Sequence, residues 1–168
     1  MDINIVHTLK HSNDRDFNDK PSIFLAGHTV RQSTNNIDES LSWRPEVIEH
    51  LNHLKFNGTV YIPEFSPTRK YNDWTYEKQV LWEIAYLKKC DIILFWIPRK
   101  MPDLPGLTTN IEFGEWYTSG KVVMGIPDDA DKMQYIKTKC MLNNIPVHNT
   151  LEYAVIAAVS KMELWDMI

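Results

Sequence analysis

The sequence predicts an α/β fold, a parallel sheet with helices packed on both faces, and three observations lead there. Short apolar runs alternate with amphipathic stretches about five times along the chain, the pattern of strand–helix–strand units with right-handed crossovers. The run DIILFWI, residues 91–97, is apolar without alternation, as a strand covered on both faces of a parallel sheet must be. The chain has 168 residues and is 43% hydrophobic, enough for one sizeable core in a single domain.

Residues 1–20 are polar with little periodicity and read as an N-terminal arm, leaving 21–168 as the domain. PSIFLAG is the first strand, ended by Gly27. In SWRPEVIEHLNHLKF, Ser42 is a candidate cap and Pro45 fits a first helical turn. Val47, Ile48, Leu51 and Leu54 then recur at helical spacing up to the break at Asn57 and Gly58. TVYIPEF is the second strand, and DWTYEKQVLWEIAYLKKC a helix with Val80, Leu81, Ile84, Ala85 and Leu87 on one apolar face. DIILFWI is the third strand. After a proline-broken loop a helix runs from about Asn110 to Ser119, stopped by Gly120. KVVMGIP is the fourth strand, DADKMQYIKTKCMLNN a helix, IPVH a short fifth strand and TLEYAVIAAVSKMELW the last helix. The whole is a flavodoxin-like or Rossmann-like three-layer sandwich on a five-stranded parallel sheet of order 2-1-3-4-5. Ligands of such sheets bind beyond the carboxyl ends of the strands where the order reverses, here between the first and third, so the loops after Gly27 and Ile97 should face one another.

The net charge is -4 with lysines and arginines scattered, which argues against a nucleic-acid polymer as partner. No apolar run approaches the ~20 residues of a membrane helix, and the first residues lack the basic and apolar regions of a secretory leader. Cys90 and Cys140 have no metal spacing, and the histidines form no H-E-x-x-H, so no metal is expected; a reducing cytoplasm fits. Neither familiar phosphate-cradling glycine motif is present, nor a G-x-S-x-G elbow.

Two carboxylates stand out. Glu112 sits near the expected helix start, with Thr109 or Asn110 as the cap, where backbone N–H groups and the helix dipole favour an anion. The plainer reading is an ordinary first-turn acid. Glu83 lies in an otherwise apolar stretch, VLWEIAYLKKCDIILF, where burial raises a carboxyl pKa and suits it to proton donation; alternatively it reaches solvent or pairs with Lys88 or Arg44. Carboxylates in unlike environments serve acid and nucleophile roles at a sugar carbon. After the first strand, His28, Thr29 and Arg31 form either an ordinary polar loop or one that closes over a ligand. The tryptophans, Trp43 and Trp96 among them, belong to the core or an interface, with one or two near the loops able to stack on a flat base.

From Pro21 to Ala157 the blocks SIFLAGHTVR, SWRPEVIEHL, GTVYIPE, WEIAYLKKCDIILFWIPR, LPGLTTNIEFGEWYTSGKVVMGIP and IPVHNTLEYAV resemble the nucleoside 2-deoxyribosyltransferase-like family. In relatives the glutamate of a T-x-x-E-x-G block attacks the anomeric carbon of a deoxynucleoside, and a second base intercepts the covalent sugar. The resemblance places that nucleophile on Glu112, in the block Thr109 to Gly114, and an acid acting on the base near Glu83. It also implies a homo-oligomer whose neighbouring C-terminus completes the site; the ending ELWDMI does not match that pattern. Phe24 stands where relatives have a tyrosine that hydrogen-bonds the nucleophile. Gly106 stands where they have an aspartate or serine that reads the sugar or its phosphate, with Asp103 a substitute from the loop.

The expectation is a cytoplasmic, cofactor-free enzyme acting on a small-molecule nucleoside and a free base, with Glu112 as nucleophile and Glu83 assisting the base. Gly27, Arg31 and Asn110 shape the pocket. The alternatives are a nucleoside or nucleotide N-glycosidase, in which water takes the sugar, and a catalytically silent nucleotide-binding module.

Overall fold

The computed structural model describes residues 3–8, 20–28, 42–66 and 74–165. The strands are β1 (Asn4–His7), β2 (Ser22–Gly27), β3 (Thr59–Ile62), β4 (Ile92–Trp96), β5 (Val122–Gly125) and β6 (Val147–His148). The helices are α1 (Arg44–His53), α2 (Tyr76–Lys89), α3 (Leu107–Trp116), α4 (Gln134–Leu142) and α5 (Leu151–Trp165). All strand pairs are parallel, in the order β1-β3-β2-β4-β5-β6.

The five strands expected from the sequence appear in the expected order, and the sheet carries a sixth. The extra strand is β1, which pairs with β3 through Asn4–Thr59, Ile5–Val60, Val6–Tyr61 and His7–Ile62. Only Val6 of its four residues is deeply buried, so a short edge strand leaves little period-two signal in the sequence. The apolar run at β4 is buried along its whole length, as its lack of alternation requires.

Each face of the sheet covers its own core. Phe24, Tyr61, Ile93, Phe95 and Met124 face α2, α3 and α4, while Ile23, Leu25, Val60, Leu94 and Trp96 face α1 and α5. The switch of direction falls between β2 and β4, where Gly27 is paired with Trp96. Gly27 has φ +130, and a Cβ there would lie 2.1 Å from the Trp96 carbonyl oxygen, so the two strand ends close to a distance only glycine permits.

Three helices differ in detail from expectation. α2 turns a different face inward: Leu81 and Ile84 are exposed, whereas Trp82 and Leu87 are buried. The helix is apolar on more than one side, and the aromatic residues decide, because Trp82 packs on Phe24 and Tyr86, and Tyr86 on Tyr61. α1 begins after Trp43 without a side-chain cap, and Ser42 donates instead to Glu64. α3 starts at Leu107, three residues before the expected Asn110, because Gly106 turns the chain with φ +59. No described helix is long and apolar enough to cross a membrane.

Candidate active site

At the carboxyl ends of β2 and β4 the polar groups are organised by one buried cation. Arg44, the first residue of α1, is fully buried. Its Nε and Nη2 donate to the Leu25 carbonyl at 3.2 and 3.1 Å, and its Nη1 donates to the His28 carbonyl at 3.3 Å and to Glu64 Oε1 at 2.6 Å. A guanidinium removed from water must find such partners or cost several kcal/mol. The sequence SWRPE gives no hint of this, since an arginine at a helix start ordinarily reaches solvent. Trp43 reinforces the bend: its indole donates to the same His28 carbonyl at 2.9 Å and the Arg44 guanidinium lies over its ring at 4.7 Å.

Glu83 projects from the middle of α2 and accepts a 2.7 Å bond from Gln79 Nε2, one turn earlier. Gln79 is itself held, donating to the Pro63 carbonyl and accepting from the buried Thr8 hydroxyl at the end of β1. Burial pushes Glu83 above the usual carboxylate range, opposed by the Gln79 bond and by Arg44. Gln79 and Thr8 were not singled out in the sequence; the four-residue spacing of Gln79 and Glu83 was the available signal.

Glu112 is the sixth residue of α3, in its second turn, not in the first turn where the sequence reading placed it. The helix start therefore does not hold it ionised. Burial, then repulsion from Glu83, push its carboxyl up to about 8, while Arg44 pulls it down. Glu83 thus raises the affinity of Glu112 for its proton, and Arg44 acts on both carboxyls in the opposite sense. The arrangement offers an acid and a nucleophile side by side under the open end of the sheet.

The remaining expected residues separate into groups. Phe24 is fully buried beneath α2, packed on Trp82 at 5.9 Å, and belongs to the same face as Glu83. Trp43 and Trp96 belong to the core under α1 and α5, on the opposite face, so neither offers a free ring beside the carboxylates; the sequence could not say which side of the sheet each would take. Thr109 is buried within α3. Asn110 lies two positions from Glu112, about 200° around the helix, and its Oδ1 accepts from Arg99 in the cleft between α3 and α4. Asp103 is exposed in the short Lys100–Leu104 turn. Arg31 lies outside the described residues.

Gly106 has a different explanation from the one its sequence position suggested. It forms the N-cap of α3, and a Cβ there would stand 2.1 Å from His28 Nε2. The imidazole of His28 fills the space a side chain at position 106 would take. His28 is 3% exposed, and its ring nitrogens make no well-formed hydrogen bond among the described residues, with the Leu104 and Pro105 backbone the nearest acceptors to them. Burial, then Arg99 close by, lowers its pKa, opposed by the backbone of Leu104 and Pro105 against the ring.

The described residues hold no group of three or more side chains of the metal-binding kinds. Compared with known proteins, the chain matches the family model described as nucleoside 2-deoxyribosyltransferase like over residues 20–130, a span that includes Arg44, Glu83, Gly106 and Glu112. No curated protein matches it.

Proposed function

Because the chain belongs to the nucleoside 2-deoxyribosyltransferase-like family, we propose that it cleaves the N-glycosidic bond of a nucleoside through a glycosyl ester on Glu112 and passes the sugar to a second base. The observation that carries this reading is that Glu83 and Glu112, on α2 and α3, lie close enough to repel one another and that buried Arg44 attracts both.

In the first half-reaction the Glu112 carboxylate forms a bond to the anomeric carbon as the bond to the base nitrogen breaks. The proton that Glu112 gives up on attacking passes by way of Glu83 to the departing base. In the second, the incoming base nitrogen attacks the same carbon, the ester breaks, and the proton lost by that nitrogen returns to Glu83. Arg44 keeps one negative charge tolerable in the buried pair throughout, and its hold on the backbone from Leu25 to His28 fixes the loop facing the sugar. The chemistry requires no cofactor. The small-molecule substrates, the homo-oligomer and the cytoplasmic location expected from the sequence belong to the same proposal.

Chromatography of a deoxynucleoside incubated with a different free base tests it. Wild-type protein should make a new deoxynucleoside and Glu112→Ala should make none. Release of free sugar without exchange would replace transfer by hydrolysis, and full activity of Glu112→Ala would sink the assignment.

A further inference from the structure

Glu83 is held by Gln79, and Gln79 in turn by a residue outside the family match. Thr8 directly follows β1, in the stretch that reads from sequence as an arm, and precedes the matched residues 20–130. It is 1% exposed, and its backbone N–H donates to the carbonyls of Ile62 at 3.0 Å and Glu64 at 3.2 Å, at and just past the end of β3. That anchorage sets its hydroxyl against Gln79 of α2.

A side-chain amide can be turned over, exchanging its oxygen and its nitrogen, and its neighbours decide which way it sits. Pro63 decides it here. Its carbonyl can only accept, so the Gln79 nitrogen must face it, at 3.3 Å. The same nitrogen has a second proton, which it donates to Glu83 Oε1 at 2.7 Å. The Gln79 oxygen is left to the Thr8 hydroxyl, which must donate to it. With these three bonds made, Glu83 Oε1 is always an acceptor, so a proton on this carboxyl sits on Oε2. Without the Thr8 hydroxyl the Gln79 oxygen loses its buried donor, and the amide is free to turn toward other partners. Burial resists ionisation of Glu83, while the Gln79 bond and Arg44 on α1 favour it; across from it stands Glu112 on α3.

We infer that Thr8 is a positioning residue for the proton donor: acting through Gln79, it reserves one oxygen of Glu83 as an acceptor and leaves the other to exchange the proton with the base. The inference rests on the reading of Glu83 as the group that carries the proton to and from the base. The end of the edge strand β1, which lies outside the family match, then serves the site.

The test begins without substrate. The Glu83 carboxyl, labelled with ¹³C and assigned with Glu83→Gln, is titrated by NMR in wild type, Thr8→Val, Thr8→Ser and Gln79→Leu protein. Thr8→Val keeps the shape of the side chain and its backbone bonds and removes only the hydroxyl. It should raise the Glu83 midpoint by about half a unit or more, in the direction of Gln79→Leu, because an N–H donated to the ionised form is weakened. Thr8→Ser should stay within about 0.2 units of wild type. In base exchange Thr8→Val should lower kcat about tenfold with KM within about twofold, and Thr8→Ser should restore it. A Glu83 midpoint indifferent to Thr8→Val would overturn the inference, and so would a shifted midpoint with an unchanged kcat. If no protein exchanges bases, wild type included, the glycosyl-transfer reading falls by itself, and the titration alone decides whether Thr8 orders Glu83. Should Thr8→Val fail to fold, Thr8→Ala takes its place, and the Gln79 amide protons of wild type, slow to exchange with solvent if bonded as described and fast if not, give the same decision.

Discussion

Replacing Glu112 by glutamine should stabilise this protein, and by an amount that grows with pH. The carboxyl is pushed from 4.5 to about 8 in the folded state, a rise of about 3.5 units, each equal to about 1.36 kcal/mol. The sign follows from proton linkage. Below pH 4.5 folded and unfolded chains both keep the proton, and the wild type pays no penalty. As pH rises from 4.5 to 8 the unfolded chain ionises freely while the folded one resists, so stability present in acid is progressively lost. The ceiling is about 5 kcal/mol above pH 8 and roughly 3.4 kcal/mol at pH 7. Local relaxation and water around a half-buried group reduce it, leaving about 2 to 3 kcal/mol. For a chain of this size that corresponds to a melting temperature roughly 5 to 10 °C higher for Glu112→Gln at pH 8, with the gap closing toward pH 4.5. Thermal unfolding of both proteins between pH 4.5 and 9 measures it. A gap that does not change with pH, or that widens in acid, would refute the buried-pair argument.

Glu83→Gln removes the negative neighbour of Glu112, so the Glu112 carboxyl should titrate lower and the acid limb of the pH–rate profile should move to lower pH. Base exchange should slow by about 10²–10⁴-fold through loss of the proton donor; steady-state rates from pH 5 to 9 report both effects. Gly106→Ala should destabilise the fold by about 1 to 3 kcal/mol, because it combines φ +59 with a clash on His28. Pairing it with His28→Ala should recover part of that loss, and additive costs in a double-mutant unfolding cycle would contradict the contact. Arg44→Leu leaves Glu64 and several carbonyls without their donor and should cost about 3 to 5 kcal/mol in chemical denaturation, with Glu112 titrating still higher.

The parts of the fold visible in the sequence were those set by local pattern. Apolar runs marked five of the six strands, the α/β alternation suggested their order, an apolar stretch marked Glu83, and an expected helix start, which the structure moves, marked Glu112. What stayed hidden depends on distant partners. The early start of α3 needs a left-handed Gly106, which makes sense only once His28 lies against it. The buried face of α2 is chosen by Phe24 and Tyr61 from another part of the chain, not by the helix's own periodicity. The burial of Arg44 was hidden because nothing local shows that Leu25 and His28 direct their carbonyls at it. The two tryptophans offered as base platforms, Trp43 and Trp96, fall on the far side of the sheet: strand alternation decides this for Trp96 in β4, and the side on which α1 crosses decides it for Trp43.

The edge strand β1 has a consequence for when the molecule becomes chemically competent. Thr8 at its end holds Gln79, and Gln79 holds Glu83. A four-residue strand at the rim of a sheet is among the first parts to open and the last to close. A chain whose centre is already assembled but whose rim is still open therefore carries Glu112 without a seated Glu83. On the proposed reading of the two carboxyls, reactivity is withheld until the outermost strand has docked, and it is surrendered first when folding begins to fail.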